Sequence, residues 1–113
     1  MIVANIENHD AILIDFSIHR IDASNSDALY RQVIGSLYKS KNIIIDLSTL
    51  EVMDSSGLGM LLNCYREIKA TGGNLSVVAG NPLVLSLFQL VHFNKITKIY
   101  RTVPKAVECL MAS

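Results

Sequence analysis

The chain has no tryptophan, two cysteines, two prolines and no excess of charge of either sign, with 10 Lys+Arg against 10 Asp+Glu in 113 residues. Each shortage excludes a class of protein. Without a run of Lys or Arg there is no electrostatic footprint for binding nucleic acid non-specifically or an anionic membrane surface, and neither is expected as a partner. Cys64 and Cys109 lie far apart with no C-x-x-C and no nearby His pair, which suits neither a disulfide framework nor a zinc site. Reduced core thiols are expected, and no metal or cofactor. No stretch approaches the roughly 18 apolar residues of a membrane span. The opening Met1-Ile2-Val3-Ala4-Asn5-Ile6-Glu7 also lacks the basic-then-apolar pattern of an export signal, so a cytoplasmic protein without membrane insertion is expected.

What is present is a globular composition, 50% hydrophobic and 18% charged, enough to build one core and therefore one domain over residues 1–113. Residues 2–6 and 11–16 are short, β-branched runs separated by Glu7-Asn8-His9-Asp10, which predicts an opening hairpin. Beyond Asp22, the Ser24-Asn25-Ser26-Asp27 cluster supplies N-caps, and Leu29, Val33 and Leu37 recur at spacing four. This predicts a helix ending near Lys39-Ser40. Ile43-Ile44-Ile45-Asp46-Leu47 reads as a strand covered on both faces. A second helix starts just past Asp54, carries Leu58, Leu61, Leu62, Tyr65 and Ile68 on one face, and stops at Gly72-Gly73.

A strand over 75–79 follows, then a helix with Asn81 as N-cap and Pro82 first, expected to bury Leu83, Leu87, Phe88, Leu90 and Val91. A strand over 96–100 and a terminal helix from Thr102-Val103-Pro104, burying Ala106, Val107 and Leu110, complete the order β-β-α-β-α-β-α-β-α. That order predicts an α/β fold with a mostly parallel sheet, an antiparallel N-terminal hairpin at its edge and helices following the strands.

The informative stretch is Asp54-Ser55-Ser56-Gly57-Leu58-Gly59, where the chain passes from the strand region into a helix. In parallel sheets, ligands and partners meet the crevice beyond the carboxyl ends of the strands. Ser55 or Ser56 is expected at the N-cap or in the first turn, where free N–H groups and the helix dipole favour an anion such as phosphate. Gly57 and Gly59 cost about 1 kcal/mol each in helix propensity, which points to a need for close approach. Ser-Ser-Gly is also a common helix start, and a capping serine accounts for one hydroxyl without any further role.

The longer run Asp46-Leu47-Ser48-Thr49-Leu50-Glu51-Val52-Met53-Asp54-Ser55-Ser56-Gly57-Leu58-Gly59, with the helix behind it and Thr71-Gly72-Gly73, closely resembles the STAS domain family. The likeness is to the bacterial anti-sigma-factor antagonists and runs from residue 2 to residue 110. In that family a D-L-x-x-[LV]-x-x-[MI]-D-S-[SA]-G-[LI]-G run ends in the phosphoacceptor loop, and the serine after the motif's Asp matches Ser55. The resemblance implies a STAS-type domain and a non-enzymatic, partner-switching role. The unphosphorylated form binds an anti-sigma factor that is also a GHKL-type serine kinase, phosphorylation of Ser55 ends that binding, and a PP2C-type phosphatase restores it. It implies partner contact by Asp54, Ser56, Gly57, Leu58 and Gly59, and by Asp22, the residue that His19-Arg20-Ile21-Asp22 keeps of the family's G-[DE]-[LIV]-D run. For Asp22 a plain turn or capping role stays open. Two other roles within the family also stay open: a regulator of biofilm or secretion, and an unphosphorylated STAS subunit of a lipid-transport ABC complex.

The residues themselves are compatible with such a switch. A phosphate adds about −1.5 to −2 charges beside Asp54 and near Glu51, in a patch whose apolar contacts are expected from Gly57, Leu58 and Met60. An enzymatic reading fails on spacing, because no Gly stands two residues before Ser55 and His9, His19 and His92 have no signature arrangement. Gly57-Leu58-Gly59 is no nucleotide motif. Met53, Met60 and Met111 are read as core or interface filler, Leu87-Phe88-Gln89-Leu90-Val91 as a buried helix face, and Lys69 as a complement to the helix dipole. Tyr65 and Arg66 are expected to reach solvent beside Ser55.

Overall fold

The computed structural model describes residues 2–6 and 10–111. The chain runs through β1 (Ile2–Ile6), β2 (Ala11–Asp15), β3 (Arg20–Ile21), α1 (Ser26–Gly35), β4 (Asn42–Asp46), β5 (Val52–Met53) and α2 (Ser55–Ala70). It continues through β6 (Asn74–Val78), α3 (Pro82–Leu90), α4 (Phe93–Ile96), β7 (Lys98–Tyr100) and α5 (Val103–Met111). The expected turn at Glu7-Asn8-His9, and with it His9, lies outside the described residues, as does the side chain of Met111.

Strands order as β1-β2-β4-β6-β7, with β1 antiparallel to β2 and every other pairing parallel. The aliphatic run of β4 is explained by its place at the centre. Ile43 and Ile45 join α2's Leu61, Cys64 and Ile68 in the main core, whereas Ile44 points to the opposite face and meets Val78 and Ala106 beneath α5. A side chain on either face of such a strand is removed from water, so alternation disappears from the sequence. Gly72, at φ +82, turns the chain out of α2, and the Gly73 N–H donates back to the Ile68 carbonyl at 2.8 Å.

Three expectations are corrected, and one pair of strands that the sequence did not suggest is added. First, α1 stops at Gly35, because Ser36 donates its hydroxyl to the Gln32 carbonyl at 2.9 Å and its N–H to the Val33 carbonyl; Leu37–Lys39 follow as a 3₁₀ turn. Second, Ile96 belongs to the helical turn α4, which buried Phe93 anchors against Phe88 with ring centroids 5.1 Å apart, so β7 begins at Lys98. Third, the two-residue strands β3 and β5 form a separate parallel pair with Ile21 opposite Met53. Fourth, α3 buries Val84 and Phe88 but leaves Leu83, Leu90 and Val91 exposed.

Candidate functional site

The start of α2 is built by Asp54. Its backbone is extended, and its Oδ1 accepts from the N–H groups of Ser56 at 2.9 Å and Gly57 at 3.3 Å. Asp54 is therefore the N-cap, not either serine, and Ser55 and Ser56 are the first two helical residues. Ser55 is exposed and its hydroxyl makes no hydrogen bond with any described residue. Among the described residues no side chain hydrogen-bonds to it to take its proton, so a reaction at Ser55 Oγ draws on a base brought from outside them. The Asp54 carboxylate already occupies the two N–H groups that an added anion would seek. A phosphate on Ser55 therefore meets like charge at the helix end as well as a favourable dipole.

The two glycines part company. A Cβ on Gly57 would stand 2.5 Å from Met53 Cγ and 2.9 Å from Ile21 Cγ2. The close approach at Gly57 is therefore to the protein's own β3–β5 pair. A Cβ on Gly59 would have nothing within 4 Å, so this position stays open to an outside surface. Leu58 is half-buried and packs on the core, and Met60 is buried rather than presented.

Asp22 comes to the site through the β3–β5 ladder. The Asp54 N–H donates to the Ile21 carbonyl at 3.3 Å, so Asp22 and Asp54 are the next residues along two paired strands. Hydrogen bonds from the Ser24 hydroxyl and N–H, with Arg20 Nη1 at 3.7 Å, hold the Asp22 carboxyl below the usual carboxylate range. Asn25 clamps the same turn, donating to the Arg20 carbonyl at 2.8 Å and accepting from the Asp22 N–H at 2.9 Å. Asp22 thus has the turn role that the sequence left open, and it lies beside the helix start as well.

Tyr65 and Arg66 do not belong here. Ten residues of helix carry them about 15 Å along α2 from Ser55, and Arg66 reaches back only to Asn63. His19 Nδ1 lies 3.1 Å from the Thr49 carbonyl and 3.3 Å from Glu51 Oε1. The reduced-thiol expectation holds in the core for Cys64, whose burial pushes its thiol up to about 12, while Cys109 is only half-buried. Sequence reasoning missed the apolar surface beside the site, where Val52 and the outer face of α3 are exposed. The signal was present: α3 is apolar nearly all round, and a helix of that kind has a second face to cover. Among the described residues no group of three or more His, Cys, Asp or Glu could hold a metal, and no helix is long and apolar enough to cross a membrane.

A mostly parallel five-stranded sheet, covered on both faces and carrying a carboxylate-capped helix start on a two-strand ladder, defines the class. Residues 4–106 match the model of the STAS domain, and the chain belongs to that family. The "Anti-sigma F factor antagonist" of Paenibacillus polymyxa is 33% identical over 97 residues, which span 84% of this chain and 83% of the relative. An anti-sigma factor antagonist from Mycobacterium paratuberculosis superposes with a TM-score of 0.84 at 22% identity, covering 97% of this chain and 92% of its own. The phosphorylated form of the Bacillus cell fate determinant SpoIIAA superposes with a TM-score of 0.71 at 19% identity, covering 94% of this chain and 96% of its own. The chain is an anti-sigma factor antagonist-like STAS domain.

Proposed function

We propose that this chain is a cytoplasmic, non-catalytic regulatory module that switches partners by phosphorylation of Ser55. The unphosphorylated form binds an anti-sigma factor that is also a GHKL-type serine kinase, and a PP2C-type phosphatase returns the phosphorylated form to the binding pool. The observation that carries this reading is the Ser55 hydroxyl, exposed and without a hydrogen-bond partner among the described residues, at a helix start that Asp54 already caps. A hydroxyl with no structural task is free to accept a phosphoryl group. The phosphorylated neighbour of the same fold supports the reading.

Asp54, Ser56, Leu58 and Gly59 form the contact surface around the acceptor, with Asp22 at its edge, while Gly57 shapes that surface from inside. A phosphate of about −1.5 to −2 charges beside the Asp54 carboxylate makes burial of this surface unfavourable. Losing a desolvated contact set of that kind costs about 2 to 5 kcal/mol, a weakening of roughly 30-fold to several thousand-fold. The kinase supplies ATP, Mg²⁺ and the base.

The test is intact mass and phosphopeptide mapping of the protein recovered from its native cells in several growth states. One phosphate confined to Ser55, varying between states and abolished by Ser55→Ala, is the expected result. A phosphate elsewhere overturns the assignment to Ser55, and none in any state overturns the switch and favours the unphosphorylated lipid-transport role.

A further inference from the structure

The outer face of the β3–β5 pair carries Arg20 and Asp22 on one side and Val52 and Asp54 on the other, while Ile21 and Met53 turn into the core. A phosphate on Ser55 adds about −1.5 to −2 charges at the end of this face, close to the carboxylates of Asp22, Asp54 and Glu51. Arg20 is the cation aimed at them. Its Nη1 lies 3.7 Å from Asp22 Oδ2, so the side chain leans forward along β3 towards the start of α2. That pair is incompletely made. Asp22 Oδ1 already accepts from the Ser24 N–H at 2.9 Å and the Ser24 hydroxyl at 2.5 Å. One carboxylate oxygen is left for Arg20, at a distance long for a hydrogen bond. A guanidinium has five N–H donors in a planar fork that matches two oxygens at once, and Asp22 does not offer two.

The reach is sufficient. Arg20 stands opposite Val52, three residues before Ser55. At about 3.3 Å per residue and about 4.8 Å between strands, the Cα atoms of Arg20 and Ser55 lie roughly 11 Å apart. An extended arginine spans roughly 7 Å from Cα to its terminal nitrogens and a phosphoserine about 4 Å to its phosphate oxygens. A hydrogen bond of about 2.8 Å closes the gap. Neighbouring cations are committed elsewhere. His19 Nδ1 lies 3.1 Å from the Thr49 carbonyl and 3.3 Å from Glu51 Oε1, and Arg31 Nε donates to the Asp27 carbonyl at 3.4 Å. The side of α1 that meets the helix start adds another acid, Asp27, in a cleft with Ser56 and Gly59.

We infer that Arg20 receives the phosphate on Ser55 within the same chain: its guanidinium leaves Asp22 Oδ2 and takes two phosphate oxygens. This rests on the Ser55 switch proposed above and names the positioning residue of its phosphorylated state. Phosphorylation then changes the docking surface twice. It adds negative charge at Ser55, and it withdraws the guanidinium from Asp22 and from any outside partner, leaving the Asp22 carboxylate without its cation.

The experiment compares wild type, Arg20→Gln and Arg20→Lys, each with and without phosphoserine incorporated at position 55 during translation, at one pH near 8 where the phosphate is doubly charged. Phosphorylation is expected to lower Tm by at least about 2 °C more in Arg20→Gln than in wild type at about 50 mM salt, a difference that closes at about 1 M. Arg20→Lys, which keeps the charge but loses the fork, should fall between them. In the wild type the Arg20 Nε–H NMR signal should move downfield on phosphorylation, a change that a merely structural arginine would not show. An equal Tm cost in wild type and Arg20→Gln, a difference that survives high salt, or an unmoved Nε–H signal overturns the inference and leaves the Ser55 switch intact. That switch is tested separately by the phosphopeptide map from native cells, and its failure there takes the inference with it.

Discussion

Replacing Gly57 by valine separates two explanations of a glycine at the head of a helix. If the residue were small to admit a partner, Gly57→Val would weaken binding and leave the fold alone. The geometry demands the reverse, because the new Cβ falls 2.5 Å from Met53 Cγ, 2.9 Å from Ile21 Cγ2 and 3.0 Å from Met53 Sδ. Met53 is flexible enough to yield in part, but Ile21 is fully buried and held by the β3–β5 pair. Overpacking of this kind costs about 1–3 kcal/mol, and the two further methyls of valine place it at the upper end. Relief of the glycine's poor helix propensity returns about 0.5 kcal/mol for valine and about 1 for alanine. The expected net loss is about 2–3 kcal/mol for Gly57→Val and about 0–2 for Gly57→Ala. At about 4 °C per kcal/mol for a chain of this size, the valine variant should melt roughly 8–12 °C lower. Gly59→Ala, with open space around its methyl, should be neutral or slightly stabilising. Thermal and urea unfolding of the three variants measure this. A Gly57→Val protein that melts with the wild type would refute the packing argument.

Removing the cap by Asp54→Ala should cost about 1 kcal/mol, within a range of 0.5–2, whereas Asp54→Asn should keep most of it; urea midpoints decide, and equal midpoints for Ala and wild type would deny the cap its role. The Asp22 carboxyl, lowered in the folded chain by its Ser24 hydrogen bonds, contributes stability above its ordinary value of 3.8 that is lost as pH falls through the folded value. Its carboxyl carbon should therefore titrate below 3.8 by NMR, and Asp22→Asn should be less sensitive to acid than the wild type; titration at or above 3.8 would remove the Ser24 clamp. Towards a thiol reagent at pH 8, half-buried Cys109 should react first, with Cys64, its thiol pushed up to about 12, reacting only on unfolding. Equal rates by mass spectrometry would contradict the buried position of Cys64.

The sheet was legible because burial on both faces leaves a mark: Ile43, Ile44 and Ile45 announce a central strand, and Asn81-Pro82 announces a helix start. The pair β3–β5 was not legible, because strands of two residues have no periodicity to read. The α3 face was misread for the opposite reason. In Pro82-Leu83-Val84-Leu85-Ser86-Leu87-Phe88-Gln89-Leu90 so many positions are apolar that no single stripe stands out, and tertiary packing alone selects Val84 and Phe88. At the candidate site, a helix starting just past Asp54 was readable from the motif. Of the two places the sequence leaves for the serines, N-cap or first turn, the structure takes the first turn, because the carboxylate one residue earlier caps the helix, and the internal contact of Gly57 depends on β3, whose place beside β5 no local pattern reveals.

The Asp54 cap has a consequence for how such a chain changes over generations. Since the carboxylate satisfies the helix end and the Ser55 hydroxyl binds no described residue, folding places no demand on the side chain at position 55. Stability depends little on that side chain and strongly on the fit of Gly57 against Ile21 and Met53. A lineage can exchange the side chain at position 55 by single substitutions that leave the scaffold untouched, and chains with and without a hydroxyl there can share one architecture.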